Sequence, residues 1–277
     1  IEIANTNTTK NYYFNNCTFD NVKFSLKNQG NYIFNNCTFN NNTTSPIEML
    51  GDNISVYLLN SEISNNKPNL EEWNSNENNV RSWKYSAVNL RANNLALHMN
   101  NSTINNFISS YAIFVEKNHT NTQLYVDYSK ISNVEGNAIS MQSETKGRIA
   151  NNGFENIGEL RGKNGYASDG TGVGGNAIYS ENEFYNTKMR IYNNVIKNVM
   201  ENGIEGTYYC VNNNHIENTG YRYDEGYTTP STEGIYGGSY SVKNNIITKV
   251  HVRGIIVTNW QNQNIEISNN SIDKQGI

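Results

Sequence analysis

The sequence is poor in most of what holds a conventional globular fold together. Three prolines leave little to interrupt a hydrogen-bonded strand ladder, and three cysteines cannot build a disulfide scaffold. No apolar run approaches the ~20 residues a helix needs to cross a bilayer, so no membrane span is expected. Basic residues are scarce as well: 21 Lys+Arg against 25 Asp+Glu give a net charge of −4. Without a basic stripe to displace counterions, a nucleic-acid partner is not expected. Only 36% of the residues are hydrophobic, a share that ordinarily leaves a chain disordered. The chain opens on Ile1 rather than Met and is expected to be a mature form or a piece of a longer protein.

What the sequence does have is asparagine, about one residue in five and far above ordinary usage. The asparagines recur in register with apolar residues. Phe14-Asn15-Asn16-Cys17-Thr18-Phe19 is followed by Phe34-Asn35-Asn36-Cys37-Thr38-Phe39 and Met99-Asn100-Asn101-Ser102-Thr103-Ile104. Asn151-Asn152, Asn193-Asn194, Asn213-Asn214, Asn244-Asn245 and Asn269-Asn270 continue the series, with Asn60-Ser61 and Tyr128-Ser129 as degenerate members. The shortest spacings are about 20 to 25 residues, the period of a solenoid. Apolar and polar positions alternate over short runs rich in Ile, Val, Phe and Tyr, the pattern of strands. Three short strands and three turns per period predict a parallel β-helix, each strand pairing with its equivalent one coil away at ~4.8 Å. Asparagine at a turn tolerates left-handed backbone geometry, and stacked amides can bond along the axis as a ladder.

With period, alternation and ladder in hand, the chain resembles the right-handed parallel β-helix superfamily, the pectate-lyase-like fold, from Asn11 to Asn270. The expected fold is all-β: one right-handed parallel β-helix solenoid of about ten coils with rim insertions, a single domain over 1–277. Solenoid ends need caps, so flanking domains or a homo-oligomeric partner are expected. Two enzyme signatures of the superfamily are missing. There is no paired-aspartate and Gly-His-Gly pattern like that of polygalacturonases, and no Arg-x-Pro-x-x-Arg like that of pectate lyases.

A second repeated strand marks the candidate working face. Ile47, Val88, Ile113, Ile139, Ile178, Ile204, Ile235 and Ile255 form one interior row, and Met49, Leu90, Val115 and Met141 the next. The alternate positions are expected to face outward. One such row reads Glu48, Asn89, Phe114, Ser140, Tyr179, Glu205, Tyr236, Ile256, and the other includes Leu50, Arg91, Glu116, Gln142 and Glu181. Asn137, Asn176, Asn202, Glu233 and Arg253 precede the strand on successive coils. Gly-rich 158–175 and the Tyr221–Tyr227 segment read as insertions at the rim, where loops build sites on a rigid scaffold.

Acidic, amide and tyrosine side chains along a shallow sheet suit an extended polysaccharide, either neutral or uronic. The candidate catalytic residues are Glu205, Glu181, Glu233, Arg253 and Tyr236. Those expected to bind substrate are Tyr179, Asn176, Asn202, Arg91, Glu116, Tyr223 and Tyr227. In a glycosidase two carboxylates flank the bond, ~5–5.5 Å apart for retention and ~6.5–9.5 Å for inversion. In a lyase a base removes a proton beside a carboxylate while Arg253 or Ca²⁺ neutralises the charge, with Tyr179, Tyr236 or His251 moving protons. Glu181, Glu205 and Asp224 are the oxygen donors that would hold Ca²⁺; no other metal site is expected. Arg91 and Glu116 equally read as a simple ion pair, and Cys17 and Cys37 as stacked thiols. The functional expectation is an extracellular, cell-surface or virion-surface polysaccharide lyase or glycoside hydrolase; the alternative is a non-catalytic adhesin or stalk.

Overall fold

In the coil that runs from Gly30, the strand Gly30–Asn35 leads through a two-residue turn into Thr38–Asn40. A bend then carries the chain into Ile47–Met49, and the next coil opens with Ile54–Leu59. Repetition of this path builds three parallel sheets of ten, ten and nine strands, each strand bonded to its equivalents in neighbouring coils. The computed structural model describes residues 9–66, 86–107, 111–158, 175–181, 186–220, 232–258 and 264–273, and none of these is helical. The chain is a parallel β-helix.

The interior follows from alternation. On the third sheet the register runs Phe24, Ile47, Val88, Ile113, Ile139, Ile178, Ile204, Ile235, Ile255, one residue per coil. Those from Phe24 to Ile235 are at most 2% exposed, and each buried aliphatic contributes about 1.5–3 kcal/mol. The first coils are filled by aromatics instead. Phe14 stacks on Phe34 at 4.7 Å and 10°, Phe19 lies over Phe39 at 4.9 Å, and Phe24 meets Phe34 edge-on at 5.1 Å. At the other end Ile267 and Ile272, equivalent to buried Val242 and Ile247, are 52% and 49% exposed.

The Asn-Asn pairs do two different jobs. The first member holds a left-handed backbone at the turn from the first sheet to the second, with φ of 48–59° at Asn16, Asn36, Asn60, Asn101, Asn151, Asn193, Asn213, Asn244 and Asn269. Asparagine is the non-glycine residue that adopts this geometry most readily. Its side chain lies outside and bonds along the axis, as from Asn36 Nδ2 to Asn16 Oδ1 at 2.7 Å and from Asn101 Nδ2 to Asn60 Oδ1 at 2.7 Å. Tyr128 occupies the same position with φ 50°.

The second member points inward and accepts the backbone N–H of its counterpart one coil earlier. The acceptors are Ser61, Ser102 and Ser129 Oγ, then Asn152, Asn194, Asn214, Asn245 and Asn270 Oδ1, all at 2.8–3.1 Å. Cys17 and Cys37 begin this inner file as free thiols. A further left-handed file stands five residues on, at Asn21, Asn41, Asn65, Asn106, Asn133, Asn156, Asn198, Asn218 and Lys249; it directly follows the second-sheet strand in the first three coils and lies one residue before the strand's end from Asn106 on. It has its own amide ladder, including Asn106 to Asn65 at 2.9 Å and Asn218 to Asn198 at 2.8 Å.

Candidate functional site

The expected outward row exists on the third sheet: Ser25, Glu48, Asn89, Phe114, Ser140, Tyr179, Glu205, Tyr236 and Ile256 are in register. It is not an open face throughout. Glu48, Asn89, Phe114 and Ser140 are only 3%, 0%, 4% and 1% exposed, which corrects their assignment to a solvent-facing surface. Residues of the preceding bends engage three of them. Lys23 pairs with Glu48 at 2.6 Å, Asn89 Nδ2 donates to Ser45 Oγ at 2.7 Å, and Tyr111 stacks on Phe114 at 5.2 Å. From Tyr179 onward the row is only half-buried.

The opening centres on Glu205, with Tyr179 on the coil before it and Tyr236 on the coil after. Its strand, Ile204–Glu205, is cut short by Gly206 at φ +136°. A Cβ on that glycine would lie 2.1 Å from Ser180 Oγ and 2.8 Å from the hydroxyl oxygen of Tyr208. The buried Tyr208 ring takes the space, and its hydroxyl donates to the Glu205 carbonyl at 2.7 Å. A glycine and a core tyrosine therefore fix the Glu205 backbone.

Electrostatics tune this carboxyl. Burial pushes the Glu205 pKa up to about 7; the neighbouring Glu201 and Glu233 carboxylates raise it too, while hydrogen bonds from Asn202 and Asn176 oppose the shift. Asn202 Nδ2 donates to Glu205 Oε2 at 2.9 Å and so sets the carboxyl plane. Burial, then Glu205 and Glu181, hold the Tyr179 hydroxyl well above the usual phenol range, so it is a donor at neutral pH. Glu181 stands one coil (~4.8 Å) and two residues (~6.6 Å) from Glu205, about 8 Å between backbones. Its Oε2 is buried and has no hydrogen-bond partner among the described residues.

The row before the strand is structural in its bonding. Asn176 N–H donates to Asn137 Oδ1 at 3.0 Å, Asn202 N–H to Asn176 Oδ1 at 2.8 Å, and Glu233 N–H to Asn202 Oδ1 at 2.6 Å. Asn176, Asn202 and Glu233 are each at most 1% exposed. Arg253 continues the row and clasps Glu233 Oε1 through Nε at 3.1 Å and Nη2 at 2.9 Å. Arg91 and Glu116 lie further toward the N-terminus and contact each other at 3.3 Å, with His119 at 3.2 Å from the same carboxylate oxygen. Tyr223, Tyr227, Asp224 and the 159–174 insertion fall outside the described residues. No group of three or more His, Cys, Asp or Glu side chains that could hold a metal ion occurs among the described residues.

The sequence pattern does not single out Glu201. Its Oε2 accepts the Gly175 N–H at 3.0 Å and Asn176 Nδ2 at 3.3 Å. Its place directly before Asn202 of the stacked row is the signal the sequence offers. A half-buried carboxyl near neutrality, between two tyrosines and diagonal to a second carboxyl, can exchange a proton with a bound hydroxylic ligand. No family model, no curated protein and no solved structure matches the chain.

Proposed function

We propose that the protein is an extracellular or surface-borne polysaccharide-binding β-helix that hydrolyses glycosidic bonds at the third-sheet opening. The observation that carries this reading is the Glu205–Glu181 pair. Both carboxyls flank one half-buried strip, and Glu181 keeps an oxygen without a partner among the described residues. Glu205, held near neutrality, is the general acid; Glu181 is the base that activates water. Their backbone separation of about 8 Å is compatible with the ~6.5–9.5 Å carboxyl spacing of an inverting hydrolase. Tyr179 and Tyr236 offer ring surface and hydroxyls to sugars above and below the bond.

A lyase mechanism is less well supported, because Arg253, the side-chain cation available to neutralise a substrate carboxylate, is bound to the buried Glu233. The test is incubation with a panel of neutral and acidic polysaccharides, reading reducing ends for hydrolysis and ultraviolet absorbance for unsaturated lyase products. Glu205→Gln is expected to lower the hydrolytic rate by about 10²–10⁴. Unsaturated products would transfer the reading to a lyase. No cleavage across the panel would favour a non-catalytic adhesin or stalk.

A further inference from the structure

On the first sheet the outward row runs Tyr57, His98, Tyr125, Arg148, Arg190, Cys210, one residue per coil. Its character changes along the axis. Tyr57, His98 and Tyr125 form a stack with ring spacings of 4.5 and 4.7 Å, and the next two coils present guanidinium groups. Arg148 lies over the Tyr125 ring at 5.7 Å and Arg190 over Tyr209 at 5.1 Å. Lys146 and Lys188 each stand two residues before these arginines, so four cations occupy two adjacent coils. They line a shallow groove of about 550 Å³, together with Tyr125, Gly147, Tyr192 and Tyr209.

The positive charge there is only partly neutralised. Arg148 bonds Asp127 at 2.8 Å yet keeps 47% of its side chain exposed. Lys188, 70% exposed, has only a 3.9 Å approach to Glu144, which is worth little in water. Lys146 donates to a neutral amide, Asn121 Oδ1, at 2.6 Å. Arg190 has no carboxylate partner among the described residues. A concentrated positive strip on a chain of net charge −4 is complementary to an anionic ligand.

We propose that this groove is a second binding site, specific for an acidic glycan whose sugars carry carboxylate or sulfate groups. Guanidinium groups one coil apart (~4.8 Å) give a polyanion lying along the axis a cation on each coil, and their planar donors match carboxylate and sulfate oxygens. The ring arrangement argues against nucleic acid. Tyr125 is covered by His98 and Arg148, and Tyr209 by Arg190 with Tyr240 beside it at 6.3 Å. Tyr125, flanked on both neighbouring coils, has no free face on which a base could stack.

The site is independent of cleavage on the third sheet, and its test reads binding alone. Isothermal titration at low ionic strength would use the whole chain with heparin octasaccharide, a hyaluronan oligosaccharide of equal length, a neutral dextran oligosaccharide and an oligodeoxythymidylate. Heparin is expected to bind and dextran not, with affinity falling as salt is added. Binding of hyaluronan as well would show that carboxylate suffices; its failure beside heparin would assign the site to sulfate. Arg190→Gln and the exposed Lys188→Gln are each expected to weaken heparin binding at least fivefold without altering circular dichroism. Arg190→Lys should recover part of the loss. The proposal is overturned if neither acidic glycan binds, if both glutamine variants bind as the unaltered chain does, or if the oligonucleotide binds more tightly than heparin.

Discussion

Asn194 tests what the inner file contributes, because the same file already contains its own control substitutions. Asn194 is 1% exposed. Its Oδ1 accepts the Asn152 backbone N–H at 3.0 Å and Asn152 Nδ2 at 3.1 Å; its Nδ2 donates to Ile149 O at 2.9 Å and Asn214 Oδ1 at 3.0 Å. In Asn194→Ala two of the partners keep another bond. Asn152 Nδ2 retains Val126 O at 2.8 Å, and Asn214 Oδ1 retains the residue-194 N–H at 3.1 Å. The Asn152 N–H is left orphaned in the interior, which costs about 1–3 kcal/mol. Adding three lost bonds at roughly 0.5–1 kcal/mol each gives an expected destabilisation of about 2.5–6 kcal/mol.

Asn194→Ser should cost much less, about 1–2 kcal/mol. At the equivalent position Ser102 Oγ accepts the Ser61 N–H at 3.0 Å and has Leu58 O at 3.1 Å and Asn100 O at 2.9 Å as alternative acceptors for its one hydrogen, so a hydroxyl reaches the same backbone groups. Equilibrium urea unfolding followed by circular dichroism reads both values through the midpoint and slope. Equal losses for Ala and Ser, or losses below about 0.5 kcal/mol for both, would refute the view that the file stabilises the fold by satisfying buried backbone donors.

Tyr128→Asn is expected to raise stability by about 1 kcal/mol in the same assay, since a 65%-exposed tyrosine at φ 50° is replaced by the residue that suits left-handed geometry. Gly206→Ala is expected to cost more than about 2 kcal/mol, because its Cβ would collide with Ser180 Oγ and Tyr208. Glu205 makes stability depend on pH. Its folded pKa of about 7 lies above the ordinary 4.5, so between these values the unfolded chain binds fewer protons and stability falls as pH rises. Titration of the unfolding midpoint over this window should show a shallower decline in Glu205→Gln than in the unaltered chain.

Period and alternation made the coil, the interior rows and the third-sheet register legible in the sequence, down to the alignment of Tyr179, Glu205 and Tyr236. Burial across that row was not legible, because it depends on side chains such as Lys23, Ser45 and Tyr111 that reach over from irregular bends. The two roles within each Asn-Asn pair were hidden too, since identical letters serve a left-handed turn and an inner acceptor. A constant offset of five residues, as from Asn16 to Asn21 and Asn193 to Asn198, was a readable signal of the further file. Arg148 and Arg190 are 42 residues apart with an insertion between them, so their adjacency emerges only once the coils are stacked.

The amide stacks carry a sense of direction. In the inner file each donor sits on the earlier coil, as from Asn152 to Asn194, Asn194 to Asn214 and Asn214 to Asn245. In both outer files the donor sits on the later coil, as from Asn193 to Asn151 and Asn198 to Asn156. Side-chain dipoles inside and outside the wall therefore run antiparallel. Each column polarises its own members, while the opposing senses limit the field that accumulates along the rod. Chain polarity is thus written twice, with opposite sign, and a misaligned layer would have to break both inscriptions at once.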